Sequence, residues 1–145
     1  MPKQSKNFVK RYHSFFLVLF FSSFLEAAEV SFQHKERTVL KVEVANTNLL
    51  RRQGLMNRQE LLQDHGMLFI WTGYDQRCMW MKDTSIPITL AYLSNKGIIQ
   101  EIYDMVPFSE NSICSKQPAR MALEVNLGWF NKNGIGIGDK LILKH

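Results

Sequence analysis

Leu40, Val42 and Val44 alternate with Lys41 and Glu43, the period-two pattern of a strand that buries one face and wets the other. Thr47 follows as a helix cap for a short helix over Asn48 to Gln53 that Gly54 ends, and Asn57 with Glu60 three residues on has the capping-box form of a second one. From Gly66 onward, β-favouring runs recur at strand length: Met67 to Trp71, Cys78 to Met81, Ile88 to Leu93, Ile98 to Val106, Met121 to Val125 and Lys140 to Leu143. Thr72-Gly73 and Asn95-Lys96-Gly97 suit tight hairpin reversals, whereas Pro107 to Pro118 is a long polar loop carrying Cys114. Many short strands with one or two brief helices predict a mostly β (α+β) fold. Its expected form is a small antiparallel or mixed barrel-like sheet with the helices plugging one end. Gly134, Gly136 and Gly138 lack the Lys-Ser/Thr of a phosphate loop and the spacing of a dinucleotide fingerprint. They read as a glycine-bent turn into the last strand.

The start of the chain obeys a different grammar. Lys3, Lys6, Lys10 and Arg11 precede an apolar run, Phe15 to Phe21, that resumes at Phe24 and Leu25 and ends in Ala27 and Ala28. A positive start, a short apolar stretch and small residues are what an export signal needs, with cleavage expected after Ala27. Ser22 and Ser23 interrupt the run, which falls short of the roughly 20 apolar residues that cross a bilayer. The expected organisation is therefore a signal peptide over 1–27 and a single globular domain over 28–145, working in the periplasm or outside the cell. An uncleaved leader would leave the same domain membrane-anchored.

Removing that leader changes the electrostatic picture. It takes four of the 18 Lys and Arg residues and one of the 13 acids, leaving 14 against 12. A net charge of +5 on the whole chain would hint at nucleic acid or anionic lipid, but the near-neutral mature domain shows no basic stripe. Nucleic acid is not an expected partner, and membrane contact is expected only through an uncleaved leader. The domain is expected to be a monomer without a cofactor. Export also governs the cysteines, because an oxidising compartment permits a disulfide. Cys78 and Cys114 either pair, which would stabilise the fold by roughly 3 to 4 kcal/mol on the chain-entropy account, or are separate buried thiols.

Several ordered runs carry a resemblance. Gly54-Leu55-Met56 with Arg58, Gly66-Met67-Leu68-Phe69, Cys78 through Thr84 with Ile86-Pro87, Ala122-Leu123-Glu124 and Gly138-Asp139 are similar to the motifs of domain-of-unknown-function family 192. The resemblance covers nearly the whole mature chain. It implies a small, mostly β protein, often preceded by an export signal, and brings no established activity. Asp83 stands where the family pattern usually has Asn after the lysine, and Ser94 where it often has Asp.

Candidate chemistry falls into three readings. Arg51, Arg58, Trp80, Lys82, Asp83, Thr84 and Glu124, placed around one cleft, would suit a small polar or anionic ligand, since guanidinium groups clamp anions bidentately and an indole packs on a ring or a cation. The competing view pairs Arg51 and Arg58 with Glu60 or Glu124 and leaves Trp80 in the core. On the ligand view the protein is a non-enzymatic binding or accessory module. A second reading is an enzyme on envelope carbohydrate or peptide with Asp83 and Glu124 as paired carboxylates. A third is a Cu(I) carrier, because Met79 and Met81 would share one face of a strand and offer two thioethers, although methionine is also a routine core filler. The mature chain has His34, His65 and His145, but no nucleophile motif surrounds them and no zinc-ligand spacing occurs.

Overall fold

The alternating segment at Leu40 folds as expected and sets the frame. The computed structural model describes residues 26–144, so the body of the expected leader lies outside the described residues. Strand β1 (Glu26–Phe32) forms an antiparallel hairpin with β2 (Lys35–Ala45), in the register Val30 opposite Leu40 and Ala28 opposite Val42. Glu26 and Ala27 begin β1, so a cut after Ala27 would leave that strand starting opposite Val42.

Helix α1 (Asn48–Gln53) has the boundaries its local chemistry dictates. The Thr47 hydroxyl accepts the Leu50 amide at 3.2 Å, and Gly54, at φ 47°, ends the helix with its own amide donating to Leu50 O. The chain then enters β3 (His65–Asp75), parallel to β2 and antiparallel to β8 (Ala119–Asn126). Beyond the two-residue β4 (Cys78–Met79) lie β5 (Ile88–Leu93), β6 (Ile99–Met105), β7 (Ile113–Cys114), the short α2 (Trp129–Lys132) and β9 (Leu141–Lys144). Seven strands form one mixed sheet in the order β6-β5-β8-β3-β2-β1-β9, while β4 and β7 pair separately. The sheet curls until its two ends meet: Ile98 bridges Lys140, and Leu141 N donates to Gly97 O at 2.9 Å. The mostly β, barrel-like expectation holds.

The central strands bury both faces, which is why they read as apolar runs rather than alternations. On one face Leu68, Ala91, Leu93, Leu123 and Val125 join Val30, Leu40 and Phe130 in the interior of the curl. On the other, Met67, Phe69, Ile88, Leu90, Tyr92 and Ala122 pack under Leu55, Met79, Met81 and Ile86. Strands β3 and β8 approach so closely that a Cβ on Gly66 would lie 2.6 Å from Glu124 O.

Three local expectations fail. Asn57 starts no helix: it holds φ 60°, and its amide donates to Asp83 O at 2.8 Å, a tertiary bond that replaces the cap. Thr72-Gly73 is not a reversal, because β3 runs on to Asp75, with a register shift between Ile70 and Asp75 and the Arg77 guanidinium donating to Gly73 O at 2.8 Å. The strand expected over Cys78 to Met81 stops at Met79, since the Met81 amide turns to Ser109 O at 2.8 Å. Strand β1 and helix α2 had no prediction, the first because the cut at Ala27 was placed inside it and the second because it spans four residues without a side-chain cap.

Candidate functional site

A cleft of about 290 Å³ opens where α1, the turn after it, β3, β4 and β8 converge. Helix α1 contributes Asn48, Arg51, Arg52 and Gln53 to one wall, and Leu55 and Met56 follow from the turn. Phe69 and Trp71 come from β3, and Cys78 through Met81 with Thr84 close the opposite side. Glu124 of β8 is the one carboxylate in the lining.

Strand geometry explains why that carboxylate is solitary. Residues directly opposite one another on neighbouring strands share a face, and Glu124 stands opposite Met67 on β3 and Leu90 on β5. Both flanking side chains are apolar and buried. Glu124 is 4% exposed, no group among the described residues hydrogen-bonds its carboxyl, and burial alone pushes its pKa up from 4.5 to about 8. Glu101, also buried, shows the opposite solution. Burial pushes its pKa up, but bonds from the Tyr103 hydroxyl at 2.5 Å, the Lys116 amide at 2.9 Å and the Gln117 amide at 3.0 Å together hold it below the usual range. Glu101 is therefore a structural anchor, whereas at Glu124 burial acts unopposed and favours the protonated form of the carboxyl that faces the cleft.

The rim is more fully engaged. Arg51 donates to Ile70 O and to Asn48 Oδ1, both at 2.6 Å, and burial, then the neighbouring Arg77, lowers its pKa. Its guanidinium lies 5.7 Å from the Trp71 ring centroid and that of Arg77 lies 5.0 Å away. Trp80 remains 42% exposed, with Lys82 Nζ 5.4 Å above its ring. Thr84 is buried, its hydroxyl donating to Lys82 O at 3.0 Å.

Of the seven residues expected around one ligand, Arg51, Trp80, Thr84 and Glu124 line the cleft, and Arg58, Lys82 and Asp83 do not. Arg58 makes a bidentate pair with Glu43, at 2.5 and 2.6 Å, that raises its pKa; its partner is neither Glu60 nor Glu124. Asp83 sits at φ 51° in the turn that receives the Asn57 amide, so the paired-carboxylate reading finds only Glu124 in the lining. Met79 and Met81 do line it, and Met56 joins them. Phe69, Trp71, Asn48, Arg52 and Gln53 were not anticipated; the nearest signal was the aromatic end of the Met67 to Trp71 run. Cys78 and Cys114 stand opposite each other on β4 and β7 and form a disulfide.

The family pattern described as an uncharacterised ACR, domain of unknown function 192, matches residues 30–143, a span containing every lining residue. The chain belongs to domain-of-unknown-function family 192. Two solved structures resemble this member of the family. A protein from Sinorhizobium meliloti, described as a candidate transcription regulator, is 34% identical with a TM-score of 0.78, over 82% of this chain and 95% of that one. A protein of unknown function from Novosphingobium aromaticivorans is 30% identical, also with a TM-score of 0.78, over 83% and 88%. No curated protein matches the chain.

Proposed function

We propose that this protein is a non-enzymatic binding or accessory module that holds a small polar ligand in the cleft above Glu124. The solitude of that carboxyl carries the reading. Among the described residues only Gln100 Oε1 is a fully buried side-chain polar atom without a partner, so the Glu124 oxygens keep a little solvent contact, and native folds rarely leave such a group without some partner, protein or otherwise. Glu124 opens into a space large enough for a small ligand, so a donor or cation supplied from outside would complete it. The walls combine apolar side chains with a few polar groups, the usual make-up of a small-molecule site.

The disulfide is consistent with export, and no helix among the described residues is long and apolar enough to cross a membrane. We place the mature domain in the periplasm or outside the cell, behind a leader ending near Ala27. The regulator description attached to the Sinorhizobium meliloti relative does not extend to this chain, since 14 basic against 12 acidic residues after such a cut make a poor electrostatic footprint for DNA.

Native mass spectrometry of the protein isolated from its own compartment tests the reading. A retained adduct on the wild type, lost from Glu124→Gln without a drop in melting temperature, is the expected outcome. A wild type that retains nothing, or an adduct indifferent to Glu124, would overturn it.

A further inference from the structure

Three observations narrow the chemistry of the ligand. The cleft's two tryptophans already carry the protein's own cations: Arg51 and Arg77 lie over Trp71, and Lys82 lies over Trp80, while the third ring, Phe69, is buried. An organic ammonium would have to displace them to reach an aromatic face. Arg51, the partly buried guanidinium of the wall, donates from both terminal nitrogens to Ile70 O and Asn48 Oδ1, which leaves a poor clamp for an anion. Beside the exposed Arg52 and Gln53 of α1, the lining holds sulfur and one carboxyl that accepts no hydrogen bond among the described residues. Met56, Met79 and Met81 line the cleft with Glu124, from two chain segments that the Asn57 to Asp83 hydrogen bond, 2.8 Å, ties together.

We infer that this cleft is a Cu(I) site in which the thioethers of Met56, Met79 and Met81 and the carboxylate of Glu124 supply the ligands. The inference rests on the reading of the cleft as a ligand site and names its occupant. Thioethers are soft, neutral donors that select Cu(I) over hard cations. Calcium takes 6 to 8 oxygens and magnesium demands near-ideal oxygen octahedra, and the lining has a single carboxylate. The Cys78–Cys114 disulfide removes the thiolates that would otherwise outcompete thioethers.

The test is a Cu(I) titration of the full-length gene product, as purified, against a chromogenic Cu(I) chelator under a reductant that spares the disulfide. One copper per chain is expected, with a dissociation constant below about 1 µM and sulfur neighbours in the copper X-ray absorption spectrum. Met79→Leu with Met81→Leu, a nearly volume-conserving change, should weaken uptake by roughly 100-fold or more. Uptake no tighter than micromolar, a spectrum without sulfur neighbours, or full affinity in the double variant would overturn the inference. The spectrum is read on the wild type, so it decides the matter even if the double variant fails to fold. An organic adduct that depends on Glu124, found in a protein that takes up no copper, would sink the copper assignment and keep the binding-module reading. Neither adduct nor copper would sink both.

Discussion

Replacing Glu124 with Gln removes the one buried carboxyl among the described residues that no hydrogen bond compensates, and the effect should be written in the pH dependence of stability. Below pH 4.5 the group is protonated in both the folded and the unfolded chain and contributes no slope. Between 4.5 and about 8 the folded protein keeps a proton that the unfolded chain has released, so stability falls as pH rises. Each pKa unit corresponds to about 1.4 kcal/mol. The wild type should lose roughly 3 kcal/mol between pH 5 and 7, and roughly 5 kcal/mol once the pH passes 8. Glu101, Glu36 and Asp139 have lowered pKa values; their contributions are present above their ordinary values and disappear as the pH falls below them, outside this window. Urea denaturation followed by tryptophan fluorescence, in half-unit steps from pH 5 to 8.5, measures the slope. Glu124→Gln should be nearly flat where the wild type declines. Parallel curves would refute the burial argument, because they would mean that the carboxyl is paired or hydrated in the folded state.

Other perturbations reach the same frame from different sides. The disulfide closes a 36-residue separation, so Cys78→Ser with Cys114→Ser should cost roughly 4 kcal/mol on the chain-entropy account, measured by urea unfolding at constant pH; an unchanged midpoint would contradict it. Gly66→Ala places a methyl 2.6 Å from the Glu124 carbonyl oxygen, and the backbone shift it forces should cost about 3 kcal/mol, whereas Gly73→Ala, with only the Arg77 side chain near, should cost far less. Equal melting temperatures for the two variants would show that β3 and β8 are not so tightly apposed. Thr47→Ala deletes the cap of α1 and should cost about 1 kcal/mol, with Thr47→Ser recovering most of it in the same thermal melt.

Legibility in this chain follows the range of the determining interaction. Helix α1 was readable to the residue because both its ends are decided within seven positions, by Thr47 and by Gly54. Strand β5 was equally plain, a six-residue apolar run buried on both faces. Asn57 misled because its capping-box spacing is local while the competing bond to Asp83 O spans 26 positions. Thr72-Gly73 misled for the same reason: β3 pairs with β8 again at Asp75 and Ala119, so the sheet carries the strand through a good turn sequence. At the site, Glu124 stood out as a charge inside Ala-Leu-Glu-Val, yet its isolation depends on Met67 and Leu90, which lie on other strands. Arg58 resembled a ligand clamp only while Glu43, across the fold on β2, was out of view.

The most direct test is the carboxyl ¹³C resonance of Glu124, assigned by its loss in Glu124→Gln and followed against pH in protein stripped of small molecules and metal. A midpoint near 8, moving when the native ligand is restored, is the predicted result. A midpoint near the ordinary 4.5, indifferent to any ligand, would contradict the claim that an unpartnered acid waits at the floor of this cleft.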